Sequence, residues 1–243
     1  MNLDRVEIKG RARWHMQTAE PRPLWVGAVF FLVGLLISYA AGRLSRGFLV
    51  IDTRLAMDPA TVYEAMSIHP EVLTPFVRGL LAALNVINLL VTAGFQIYAL
   101  RASRGETAGF ADLLSGFDIF FRVLWLSILE YVLISLWTML LIIPGIVAAY
   151  RYRQAFYLLV DHPEWSAWRC LRESGRMMRG HKMELFVMDL SFLGWNLLCV
   201  FQIVKIYVYP YVELSRAEFY NRLSGVAAPG GAGNTEEKPP WEY

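Results

Sequence analysis

The sequence predicts an all-α membrane protein, a polytopic bundle of about six transmembrane helices with a cytoplasmic amphipathic helix at the interface. Three observations carry that expectation. Several apolar runs approach bilayer length. Charged residues make up 18% of the chain against 56% hydrophobic, and the mean hydropathy is +0.39, whereas soluble domains carry about a quarter charged residues. Basic residues gather in alternate connections between the runs. The net charge of +2 is too small to indicate a nucleic-acid partner.

Residues 1–23 form a basic head with Arg5, Lys9, Arg11, Arg13 and Arg22, and Pro21 and Pro23 close it. The first run, 24–44, stays uncharged until Arg43. Ser38-Tyr39-Ala40 is a tolerable cleavage site, yet the long polar head and the length of the run favour an uncleaved helix. Residues 45–75 are the longest polar connection, with Asp58 as a candidate cap for a short helix over 60–67. The second run, 76–100, carries Asn85 and Asn88 on one face, read as hydrogen-bonding glue between helices.

Phe110, Leu113, Leu114 and Phe117 then fall at helical spacing in an interfacial piece. The third run, 123–143, holds the single carboxylate Glu130, and Pro144-Gly145 is the expected hinge that ends it. The fourth run, 146–160, is short and contains Arg151 and Arg153, so it either crosses or re-enters. The fifth, 185–204, contains Asp189, and Lys205 marks a turn. The sixth, 206–223, is bent at Pro210 and carries Glu213 and Arg216. The tail, 224–243, is rich in Gly and Pro with little to bury and is expected to be disordered.

With six crossings and a cytoplasmic N-terminus, the inner segments 1–23, 101–122 and 161–183 receive 5, 3 and 5 Lys plus Arg. The outer segments receive Arg46, Arg54 and Lys205. This asymmetry places both termini in the cytoplasm, in keeping with the positive-inside rule.

Two constellations stand out. Arg169, Arg172, Arg176 and Arg179 are spaced three, four and three, which confines them to an arc of about 80°. With Lys182 they form a face suited to anionic headgroups. Inside the bilayer, counting ~1.5 Å per residue sets Glu130, Arg153 and Glu213 at a common depth of ~12–13 Å. Intramembrane charges pair with one another or line a wet cavity, so these three, with Asp189 or Arg151 nearby, are the expected polar cluster. Arg151 and Arg153 point to nearly opposite helix faces and cannot both join one tight pair.

No phosphate loop, zinc motif or nucleophile elbow is present, so neither enzyme nor cofactor is expected. Cys170 and Cys199 lie in different environments and have no metal-ligand spacing. No inverted repeat announces a transporter. The expected role is a non-enzymatic membrane component that interacts with anionic lipid. The alternative is a small transporter or permease working through the intramembrane charges.

The run LWTMLLIIPGIVAAYRYRQAFYLLVDHPEWSAWRCLRESGRMMRGHK, followed by LFVMDLSFLGWNLL and YPYVELSRAEFYNRL, resembles a family of bacterial integral membrane proteins, domain of unknown function 975, over about 101–223. The resemblance implies a multi-spanning protein of the bacterial inner membrane and supplies no activity or catalytic residues. CVFQIVKIYV, at 199–208, lacks the glycines that the resemblance implies for the last turn.

Overall fold

The computed structural model describes residues 5–55, 75–199 and 204–226. The predicted loop helix at 60–67 and the tail beyond 226 lie outside these, whereas Lys205, the expected turn, is the first residue of the last described helix. All regular structure among the described residues is helical. Among the described residues three helices are long and apolar enough to cross a membrane, the mark of a membrane protein. These are α2 (Pro23–Leu55, apolar over Pro23–Leu44), α3 (Pro75–Ser103) and α4 (Phe120–Leu140). Pro23 opens α2 and Pro75 opens α3, a position where the missing N–H is not needed.

The chain forms two compact units. In the smaller, Phe30–Leu89, Leu32, Leu35 and Leu36 of α2 and Phe76 and Leu80 of α3 are exposed, as lipid-facing side chains are. Asn85 turns its side-chain amide to the carbonyl of Leu81, 2.9 Å away on its own helix, so this amide bonds locally.

The larger unit, Met1–Val29 with Leu90–Tyr243, holds the core. The basic head folds as α1 (Arg5–Thr18), which buries Ile8, Ala12, His15 and Met16. A 3₁₀ turn, Phe110–Leu114, and the one-turn helix Ser115–Asp118 lead into α4 and pack on α3 so closely that both contacts require glycine. A Cβ on Gly94 would lie 2.2 Å from the Leu113 carbonyl oxygen, and one on Gly116 would lie 2.1 Å from that of Leu90. Asp112 anchors the turn through an ion pair with Arg101 and a 2.7 Å bond from the Gly109 N–H.

The break after α4 falls at Leu141, which is extended (φ −159°, ψ 144°), and α5 begins at once (Ile142–Tyr152). The expected hinge at Pro144-Gly145 is therefore displaced by three residues. A proline ring collides with the carbonyl four residues back in a continuous helix, so the chain breaks before Pro144 and takes the proline into a fresh first turn. Gly145 serves instead as a close-packing point, since a Cβ there would sit 2.2 Å from Thr138 Oγ1 on α4.

The fourth run is divided at Arg153-Gln154 between α5 and α6 (Ala155–Asp161). Ser174 repairs that break, donating to the Arg151 carbonyl (2.8 Å) and accepting from the Gln154 N–H (3.2 Å). Ser174 belongs to α7 (Ala167–Met177), capped by the Ser166 hydroxyl on the Arg169 N–H. The fifth run is likewise divided, at Phe192, into α8 (Lys182–Ser191) and α9 (Leu193–Leu198).

The last helix, α10 (Lys205–Ser224), is the organising element of the larger unit. It has no apolar stripe, yet Val208 and most residues from Pro210 to Asn221 are buried. Its neighbours cover it all round. Gly27 of α2 lies against Pro210, Phe95 of α3 against Tyr209, and Tyr157 of α6 stacks on Tyr220 with ring centroids 5.1 Å apart. Phe192 meets Tyr211 edge-on at 5.3 Å. The helix ends at Gly225, in the left-handed region at φ 72°.

Candidate functional site

The arginine-rich helix α7 has two sharply different sides. Ala167, Cys170, Leu171, Ser174 and Gly175 are buried, packed toward α4, α5 and α6. Arg169, Arg172 and Arg176 are exposed on the other side, and Arg179 is exposed just beyond the helix end. Lys182, half-buried, opens α8. Few acidic groups neutralise this face. Glu173 pairs with Arg176 at 3.0 Å and meets Arg172 at 4.0 Å, and Glu184 is taken by His181 at 2.8 Å. Arg169 lies over the Trp165 ring, 4.1 Å from its centroid.

The expected intramembrane cluster is rearranged. Glu213 is 2% exposed, and its partner is Arg216 at 2.8 Å, three residues along the same helix. Arg216 also reaches Asp189 of α8 at 3.2 Å, and the Tyr150 hydroxyl donates to the other Asp189 oxygen at 3.3 Å. Glu213 Oε2 is buried without a hydrogen bond. Arg153, expected as the central cation, is exposed at the α5–α6 break. Its charge acts on Glu130, but no ion pair within 4.0 Å joins it to Glu130 or Glu213. Arg151 leaves the cluster. Its side chain lies against Gly175, where a Cβ would come within 2.7 Å of Nε, and over Tyr152.

The structure thus brings Glu213 and Asp189 together through Arg216. Residue counting favours Arg153 because depth alone does not reveal which way a side chain turns. The i,i+3 spacing of Glu213 and Arg216 is the sequence signal for the true pair.

Two further polar networks join residues far apart in the chain. At the ends of α3, α6 and α10, Arg104 grips Asp161 with two 2.7 Å bonds and donates to Asn221 at 3.0 Å. Tyr220 donates to Asp161 at 2.7 Å, and Asn221 donates to Ser103 at 2.8 Å. Burial opposes ionisation of Asp161, but the hydrogen bonds from Arg104 and Tyr220 and the Arg104 charge outweigh it. The carboxyl is held below its ordinary range.

The second network ties α1 to α10. Arg11 pairs with Glu218 at 3.1 Å and with Glu7 at 3.0 Å, and Arg222 closes the ring on Glu7 at 2.5 Å. Glu218 is fully buried. In both networks neighbouring helices supply the counter-charges, as buried charge requires.

Cys170 and Cys199 are free thiols. Among the described residues no group of His, Cys, Asp or Glu is arranged to hold a metal ion.

No curated protein and no solved structure matches the chain. Residues 138–227, from the end of α4 to the end of α10, match the family described as Protein of unknown function (DUF975), so over this segment the chain is similar to that uncharacterised family.

Proposed function

We propose that this chain is a non-enzymatic component of the bacterial inner membrane that gathers anionic phospholipid through the arginine face of α7. In this reading both termini are cytoplasmic, α2, α3 and α4 cross the membrane, and the broken pair α5–α6 returns the chain to the inner side. The observation that carries the reading is the pairing of an exposed face, Arg169, Arg172, Arg176 and Arg179, with a buried opposite side held in the fold. Such a face is presented rigidly, and each basic residue near an anionic surface contributes about 1 kcal/mol.

The topology draws support from the ring of ion pairs between α1 and the C-terminal half of α10. Contact between α1 and the end of α10 agrees with an even number of crossings between them. The lysine and arginine distribution makes that side the cytoplasm.

The test is purification of the full chain in native-lipid particles followed by mass spectrometry of the lipid retained. Replacing Arg172 and Arg176 with Gln removes two charges that make only peripheral contacts within the protein. Enrichment of anionic over zwitterionic lipid is expected to fall by up to about thirtyfold, the equivalent of ~2 kcal/mol. Unchanged enrichment refutes the reading.

A second reading, a small transporter, is favoured by one specific observation. The α5–α6 and α8–α9 breaks lie beside Arg153 and Asp189, and the nearby Glu213 Oε2 is buried and unbonded. Broken helices around a buried charge are the usual architecture of a transport site. Cysteines placed at Ser127 and Ala149, near Glu130 and Arg153, test it. Reaction with a membrane-impermeant maleimide is expected if water reaches the cluster, and protection from the reagent on both sides rejects transport.

A further inference from the structure

We infer that the cleft between the start of α4 and the α6–α7 turn is a binding site for one anionic glycerophospholipid molecule. This rests on the lipid-gathering reading above and gives it a built site that adjoins the arginine face at Arg169 and does not use Arg172 or Arg176. The cleft encloses about 500 Å³ and is lined by Phe121, Arg122, Trp125, Leu159, Trp165 and Trp168. That volume falls within the range of small-molecule sites, about 300–1,000 Å³.

Position and chemistry together select the occupant. Phe121 and Arg122 are among the first residues of an apolar helix long enough to cross a membrane, so the cleft opens at the level where hydrocarbon meets headgroup. Phe121, Trp125 and Trp168 are 80%, 58% and 57% exposed, apolar surface that no part of the described chain covers. Aromatic side chains at this level have an apolar body for the acyl region and, in tryptophan, an N–H for the polar side.

The polar wall is rigid. Arg122 Nη2 donates to the carbonyls of His162 (3.3 Å) and Trp165 (3.4 Å), which leaves Nε and Nη1 without a bonded partner among the described residues. His162 stacks on Trp165 at 3.9 Å and 11°, and Arg169 covers the Trp165 ring at 4.1 Å. The nearby carboxylate, Glu164, is engaged by His162 at 3.4 Å. Arg122 therefore lines a cleft whose other walls, Ser166 apart, are aromatic and aliphatic, and Arg169 lies over one of its rings, Trp165. A phosphodiester at Arg122 and Arg169, with the first part of an acyl chain along Phe121, Trp125 and Leu159, satisfies both halves. A choline headgroup would bring a third cation to the same border, so an anionic headgroup is preferred.

The experiment uses the full chain in detergent, loaded with phosphatidylglycerol or with phosphatidylcholine and observed by native mass spectrometry after delipidation. The wild type is expected to retain one phosphatidylglycerol, and to lose it about tenfold more readily, ~1.4 kcal/mol, when Trp125 and Trp168 are both Ala. The single variant Trp168→Ala, whose exposed side chain leaves the core intact, weakens retention in the same direction without lowering the melting temperature. The Arg172→Gln, Arg176→Gln double variant keeps this one tightly held lipid while losing the looser anionic shell. Excess glycerol 3-phosphate does not displace the lipid, because the acyl contact is missing.

Equal retention of phosphatidylcholine, displacement by glycerol 3-phosphate, or wild-type retention in both tryptophan variants overturns the site. Each of these outcomes leaves the arginine-face reading standing, because that reading fails only if the double arginine variant keeps its anionic shell.

Discussion

Replacing Arg104 with Met is expected to destabilise the protein by about 3–5 kcal/mol, the range for removing one partner of a buried ion pair. Arg104 and Asp161 are 14% and 16% exposed at the side chain, and among the described residues only Arg104 gives Asp161 two parallel bonds. Without it, the Asp161 carboxylate keeps the Tyr220 hydroxyl and loses its counter-charge, while the Asn221 side-chain carbonyl loses its donor. The ends of three helices come apart together. Thermal unfolding in detergent measures the effect, and the additional variant Asp161→Asn completes a double-mutant cycle. A coupling energy near zero would show that the clasp contributes nothing.

The same pair sets an acid limit. The Asp161 carboxyl titrates below its ordinary value in the folded protein, so its contribution is present above the unfolded pKa of about 3.9 and is lost as pH falls through the folded value. The wild type is expected to lose melting temperature below about pH 4, and Asp161→Asn to lose less over the same interval.

Replacing Gly116 with Val is expected to cost at least ~3 kcal/mol, the upper part of the range for overpacking a tight contact. The atom in the way is the Leu90 carbonyl oxygen, only 2.1 Å from the new Cβ, and backbone inside a long helix cannot step aside as a flexible side chain can. The reciprocal site, Gly94 against the Leu113 carbonyl, makes the same demand. Gly34, where an added Cβ would meet nothing within 4 Å, is the control, and Gly34→Ala is expected to leave the melting temperature unchanged. Equal behaviour of Gly116→Val and Gly34→Ala would remove the close approach of α3 to the 110–118 segment from the account of stability.

Much of the architecture was legible from local pattern. The arginine spacing at 169–179 predicted a single face, and the arginines at those positions are exposed while Cys170, Leu171 and Ser174 are buried. The long apolar runs at 24–44, 76–100 and 123–143 correspond to α2, α3 and α4. The hinge was legible only approximately. Proline announced a break, but its ring acts on the turn before it, so the break moved to Leu141.

The candidate cluster was half legible. Glu213 and Asp189 do come together, but through Arg216 rather than Arg153, because bilayer depth ranks residues by height and says nothing of azimuth. The Arg104 clasp was not legible at all. Its partners lie 57 and 117 residues away, and each alone reads as an ordinary charged or polar residue flanking an apolar run.

Membrane character and the arginine face follow from the residues alone, because transfer from water and helical periodicity are sums over neighbours in the chain. The burial of α10 is of another kind. A helix with this many charged and polar groups has no local reason to lie in a core. It does so because α1, α3, α6 and α8 each bring a complementary group, Arg11, Ser103, Asp161 and Asp189, to the same helix. Buried polar groups are stable only when matched, and the matches are long-range, so the tertiary structure alone decided them.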